Sequence, residues 1–120
     1  MALDQVRVNR LWEAVCLTSH ELVWELDPAG VIRFINDAST DVLGVAPSGI
    51  VGRSVFSLIH PDDVATARAL FEDCSMRRTG WQQVKLRAVR AVGLVRWVES
   101  GGVAHVGSDN DLLGFTATAR

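Results

Sequence analysis

Apolar residues in this chain change their spacing twice, and that change restricts the folds open to it. After the turn Asp27-Pro28-Ala29-Gly30 they alternate, with Ile32 and Phe34 set against Val31, Arg33 and Ile35. Beyond Pro61 they recur at helical spacing, as Val64, Ala67, Leu70, Phe71 and Cys74. From Val84 they alternate again, with Leu86 and Ala88 and then with Val95 and Trp97. A period of two buries one face of a strand, whereas a period near 3.6 buries one stripe of a helix. Two strands, a helical block and three strands predict an α+β domain, its helices packed on one face of an antiparallel sheet.

The junction Ser57-Leu58-Ile59-His60-Pro61-Asp62-Asp63 marks where the long helix begins. Proline suits the first helical position, where its missing N–H would have no intrahelical partner. Asp62 and Asp63 put negative charge beside the unpaired N–H groups of the first turn, worth roughly 0.3–1 kcal/mol each at an exposed end. His60, preceding a proline, is kept from continuing the helix before it and takes a capping role. The helix is predicted to run to about Arg78, with Arg77 and Arg78 at its carbonyl end and Gly80 closing it. Its stripe aims Cys74 at the sheet, as a small buried hydrophobe.

Elsewhere the reading is of turns and caps. Proline and glycine in Asp27-Pro28-Ala29-Gly30 predict a hairpin, and Ile32 and Phe34 are assigned to the core side of its second strand. Asn36 is placed to cap a short helix carrying Val42 and Leu43, which Gly44 ends. Breaks at Gly93 and at Ser108-Asp109-Asn110-Asp111 separate the last three strands. Gly101-Gly102 falls inside a strand, where a bulge or bend explains it better than a phosphate cradle. The first residues carry Val8, Leu11, Trp12 and Val15 at i, i+3, i+4 and i+7, a helical apolar stripe. That stripe has two readings, packing over its own sheet or meeting a second copy through Trp12.

In this order the pieces resemble the PAS sensory domain family, and specifically its common bacterial subtype with the His-Pro-Asp-Asp junction. The resemblance is carried by Glu21 to Asn36, Val42-Leu43-Gly44, Ile50 to Ser54, His60 to Asp63, Lys85-Leu86-Arg87, Gly93 and Arg96-Trp97-Val98. It implies a five-stranded antiparallel sheet in a sensor domain over residues 20–120, preceded by a flanking helix over residues 1–19. It also implies a homodimer through that helix, with Val8, Leu11, Trp12 and Val15 as candidate contacts. Two positions depart from the subtype: Val92-Gly93 stands in place of aspartate-glycine, and Lys85 in place of glutamate. The tail Gly114 to Arg120 is similar to the family's final strand just before its aspartate-aliphatic-threonine triplet. From this the chain is expected to be one domain of a longer receptor with a C-terminal output module.

Composition narrows the functional classes. At 120 residues and 48% hydrophobic the chain suffices for one domain with its own core. A net charge of −2 with interspersed arginines offers no basic field for a phosphate backbone, so no nucleic-acid partner is expected. Cys16 and Cys74 lack both redox-pair spacing and neighbouring zinc-ligand histidines, and read as free thiols in a reducing cytoplasm. Charges at Asp4, Arg7 and Arg10 exclude the apolar core of a signal peptide, and no apolar run approaches the roughly 18 residues of a membrane span.

The space between the long helix and the sheet is the candidate ligand site, with Phe34, Val42, Phe56, Leu70, Phe71, Cys74, Trp97 and Phe115 as walls. The opposing reading is a core filled at ordinary interior density. Against the family's known cofactors, residues 62–79 hold no histidine of the kind that ligates haem, and Gly52 to Ile59 no cysteine of the kind that reacts with flavin. A covalent chromophore is similarly unsupported, so no cofactor and no metal are expected. No nucleophile elbow, glycine-rich phosphate loop or metal pattern is present, and Asp37, Asp41 and His60 serve as caps and turn residues rather than as catalytic groups. The expected function is signal relay in a larger bacterial protein of histidine kinase or diguanylate cyclase type. A small apolar ligand or partner would bias helix packing, and the shift would pass through the last strand and flanking helix. The alternative is a ligand-free dimerisation module.

Overall fold

In the computed structural model, residues 21–90 and 93–120 are described. The expected flanking helix with Val8, Leu11, Trp12 and Val15 lies outside them. The chain runs β1 (Leu22–Leu26), β2 (Ile32–Ile35), α1 (Ala38–Val42), two 3-10 turns (Pro47–Gly49 and Val55–Leu58), α2 (Pro61–Arg77), β3 (Trp81–Val89), β4 (Val95–Val106) and β5 (Leu112–Ala119). The five strands form one sheet in the order β2-β1-β5-β4-β3, and every pairing is antiparallel. The α+β class and five-stranded antiparallel sheet expected from the residues are what is found.

The β1–β2 hairpin is closed by Asp27, whose Oδ1 accepts hydrogen bonds from the N–H groups of Ala29 and Val31, both at 2.9 Å. Gly30 supplies the positive φ of 84° that this turn requires. A bulge follows. Leu26 pairs with Ile32 and Glu25 with Phe34, leaving Arg33 as the extra residue. Ile32 and Ile35 therefore share the inner face, while Phe34 turns outward at 39% exposure. The assignment of Phe34 to the core is corrected by that single inserted residue.

At the other end Val89 pairs with Val95 and Arg87 with Trp97, so Val95 and Trp97 share the outer face of the sheet. Their inner-face neighbours are Val98 and Ser100, paired with Leu86 and Val84. Trp97 is 63% exposed. The alternation in β4 is as read, but the hairpin register places its other set inward.

Helix α2 begins at Pro61, and the Nδ1 of His60 accepts from the Asp62 N–H at 3.1 Å, the capping role expected of it. Ala67 and Cys74 are buried on the sheet side, with Leu70 and Phe71 packed against the core. Complete burial of such a side chain stabilises by roughly 1.5–3 kcal/mol. The helix ends at Arg77, and Arg78 takes the left-handed conformation. Gly80 does not close the helix. A Cβ there would meet the Gly102 carbonyl oxygen at 1.9 Å, so glycine lets the two backbones approach. Asn36 likewise does a different job from the one expected. Its Oδ1 accepts from the Val23 N–H at 3.0 Å and its Nδ2 donates to the Glu21 carbonyl at 2.8 Å, fastening the end of β2 to the start of β1.

Candidate functional site

The helix side of the sheet is uneven in depth, and the unevenness makes a cavity. At its centre β5 presents Ala117 and Ala119, flanked by Gly102 of β4, whereas β1 and β3 present larger Trp24, Leu26 and Leu86. Small side chains on the middle strand leave space that α2 does not fill. The result is an apolar cavity of about 100 Å³ between Leu70 and Phe71 of α2, Phe56 of the second 3-10 turn and the inner faces of the strands.

A row of four aromatic rings runs beside it, with Phe56, Phe71 and Trp81 on the lining. Phe56 meets Phe71 edge to face at 5.6 Å between centroids, Phe71 meets Phe115 at 5.2 Å, and Phe115 meets Trp81 at 5.4 Å. Such contacts add roughly 0.5–1.5 kcal/mol each beyond area burial. Arg68 lies over the Phe56 ring at 4.4 Å, covering it from the solvent side of α2.

Of the eight residues proposed from sequence as walls, Phe56, Leu70 and Phe71 line the cavity. Phe115 is buried on the same inner face of β5 as Ala117 and Ala119, against Phe71 but outside the lining. Val42 and Cys74 are buried in the same core but outside the lining. Phe34 and Trp97 lie on the opposite face of the sheet. Residues that the sequence reading did not assign as walls include Trp24, Trp81, Leu86, Val98 and Ser100. The alternation of Leu22, Trp24 and Leu26 was a usable signal for the first. Val98 and Ser100 needed the register.

Polar groups near the cavity are few and mostly committed. The indole N–H of Trp81 donates to Ser100 Oγ at 3.0 Å. Arg87, at the β3 edge of the lining, donates three hydrogen bonds to Asp63 in the first turn of α2, from its backbone N–H and Nε at 2.9 Å and from Nη2 at 2.7 Å. The Arg87 side chain first, and its backbone N–H second, hold the Asp63 carboxyl down at about 2, well below its usual 3.8. On the outer side the Arg87 guanidinium sits 5.3 Å from the Trp97 ring. Asp63, Arg87 and Trp97 thus connect the start of α2, the cavity rim and the outer sheet face. Cys74 donates its S–H to the Gly80 carbonyl at 3.4 Å, and burial, with Asp73 nearby, pushes its thiol pKa up. That disfavours the thiolate and any nucleophilic use.

Among the described residues no cluster of three or more potential metal ligands occurs, and no helix is long and apolar enough to cross a membrane.

Residues 32–119 match the sequence model of the family described as PAS fold, a span that holds the cavity's helix and four of its five strands. The chain belongs to that family. PAS domains are sensory and signalling modules and are generally non-catalytic. Solved structures agree on the fold. The PAS domain of a protein from Colwellia psychrerythraea superposes with a TM-score of 0.82 at 18% identity, covering 94% of this chain and 95% of that one. The PAS-B domain of Drosophila melanogaster Cycle, solved with bound ethylene glycol, gives 0.75 at 17% identity, covering 82% and 97%. A tryptophan-to-alanine variant of the same domain with bound glycerol gives 0.73 at 16%, covering 81% and 94%. No curated protein matches the sequence.

Proposed function

We propose that this PAS domain is the sensing and relay unit of a larger cytoplasmic bacterial signalling protein, of histidine kinase or diguanylate cyclase type, and that it takes a small apolar ligand without haem, flavin or covalent pigment. The observation that carries the reading is the apolar cavity beneath α2. A filled core would have no such space, since interiors pack at crystal-like density. Ligand entering it presses on Leu70 and Phe71, and so on the helix whose first turn is tied through Asp63 to Arg87 and Trp97. A shift of α2 then reaches the outer sheet face, where it biases contact with a second copy and passes to an output module beyond β5. Val8, Leu11, Trp12 and Val15 are the candidate dimer contacts from the N-terminal segment.

A ligand-free dimerisation module is the second reading, favoured by Phe34, Val95, Trp97 and Val103, exposed on the outer face. Native mass spectrometry of freshly purified protein, with a visible absorbance scan, separates the two. A retained small molecule, or saturable uptake of an added apolar one, supports sensing. A clean apo mass that no apolar probe changes leaves the module reading.

A further inference from the structure

Resting on the cavity as a ligand site, we infer that its occupant is a neutral molecule with an apolar body and one hydrogen-bond acceptor, a ketone, ester or ether oxygen, received by Trp24. The Trp24 side chain lines the cavity, only 9% of the residue is exposed, and its indole N–H is buried with no hydrogen-bond partner among the described residues. Burying an N–H unpaired is unfavourable, and an indole N–H donates only, so an acceptor atom is what relieves it. A ligand N–H or a cation cannot do so.

The second indole on the lining makes the contrast. Trp81 has its partner in Ser100 Oγ, and Ser100, having accepted that bond, keeps its own O–H to donate. Trp24 pairs across the sheet with Ala117, and Ser100 with Ala119, so the two lie on either side of β5 on the same inner face. Both carry a donor group, and the residues they pair with on β5 are alanines. An acceptor-bearing ligand therefore finds complementary chemistry on this wall and an apolar surface elsewhere.

Charge is excluded by the same inventory. Among the described residues the one ionic residue on the lining is Arg87, and its guanidinium is held by Asp63 through two bonds at 2.9 and 2.7 Å. A carboxylate entering the cavity would lose its hydration without gaining a free counter-ion. The volume of about 100 Å³, against roughly 150 Å³ for an engineered cavity that takes benzene, limits the occupant to no more than one small ring or a short branched chain.

The test is a titration of the isotope-labelled full chain with ethylbenzene, acetophenone and benzoate. It follows the Ala88 and Ala119 methyl signals and the Trp24 indole proton, the latter assigned by its loss in Trp24→Phe. Ethylbenzene and acetophenone should both move the methyl signals. Acetophenone should bind about fivefold to tenfold more tightly than ethylbenzene and shift the Trp24 proton downfield. In Trp24→Phe, which keeps a ring in place, that advantage should vanish while ethylbenzene still binds, and benzoate should bind neither protein. Equal affinities with the Trp24 proton unmoved, or benzoate binding as well as acetophenone, overturn the acceptor inference and leave the cavity as a ligand site. Methyl signals that none of the three compounds moves overturn both.

Discussion

The ring of Trp81 occupies the space where a side chain on Gly102 would stand. The two residues pair across β3 and β4, and a Cβ at Gly102 would lie 2.6 to 2.8 Å from three atoms of the indole. Trp81 is held over the strand by its hydrogen bond to Ser100 and its contact with Phe115. Gly102→Ala should therefore destabilise the domain by about 1–3 kcal/mol, the usual cost of overpacking. Urea unfolding followed by tryptophan fluorescence measures it, and an unchanged midpoint would mean that the ring is free to move aside.

The Asp63–Arg87 pair predicts an acid limb in stability. Because the folded carboxyl titrates at about 2 and the usual value is 3.8, the folded state binds fewer protons between those values than the unfolded one. The contribution is complete above about pH 4 to 5 and declines as pH falls toward 2. Asp63→Asn should flatten this part of a plot of urea midpoint against pH, while the decline caused by other carboxylates persists. A variant profile parallel to the wild type would contradict the pairing.

Ala88 lines the cavity on β3, and a larger side chain there grows into open space. Ala88→Leu should leave stability unchanged or raise it by about 0.5–2 kcal/mol, as cavity filling commonly does. It should also abolish binding of ethylbenzene. A loss of more than about 2 kcal/mol, measured by chemical denaturation, would show that the space is too small to accept the added carbons.

Trp97 stands on the outer face, against Arg87 but largely in water. Trp97→Glu removes an exposed cation–π contact, so unfolding stability should fall by no more than about 1 kcal/mol. Self-association through this face should weaken at least tenfold, because a desolvated carboxylate without a partner opposes burial. Sedimentation equilibrium checks the prediction; a dimer of undiminished affinity would place the contact elsewhere.

Much of this architecture was open to reading from local chemistry. Pro61 with Asp62 and Asp63 located the start of α2 to the residue, and the spacing of Val64, Ala67, Leu70, Phe71 and Cys74 identified its inward stripe. The Asp27 to Gly30 turn was equally legible, since aspartate, proline and glycine each act there through their own backbone geometry. The walls of the cavity were less so. Phe56, Leu70 and Phe71 sit on segments whose facing follows from their own turn, whereas Phe34 and Trp97 sit on strands whose facing does not. For Asn36 a cap and a cross-strand clasp use the same side-chain amide, and only the position of Val23 and Glu21 distinguishes them.

By itself the sequence determined the order of strands and helices, where α2 starts, which side of α2 is apolar, and that the whole is an α+β domain, because helical stripes and turns are set within a few residues. Tertiary structure alone decided which set of β2 and β4 side chains looks inward, that glycines 80 and 102 permit close packing, and that Trp24 at the cavity wall holds a donor without a partner among the described residues. The physical reason is that alternation along a strand names two faces without saying which is buried. One extra residue at Arg33, or the choice of Val95 as the partner of Val89, reverses the answer, and that choice is made by pairing across the sheet.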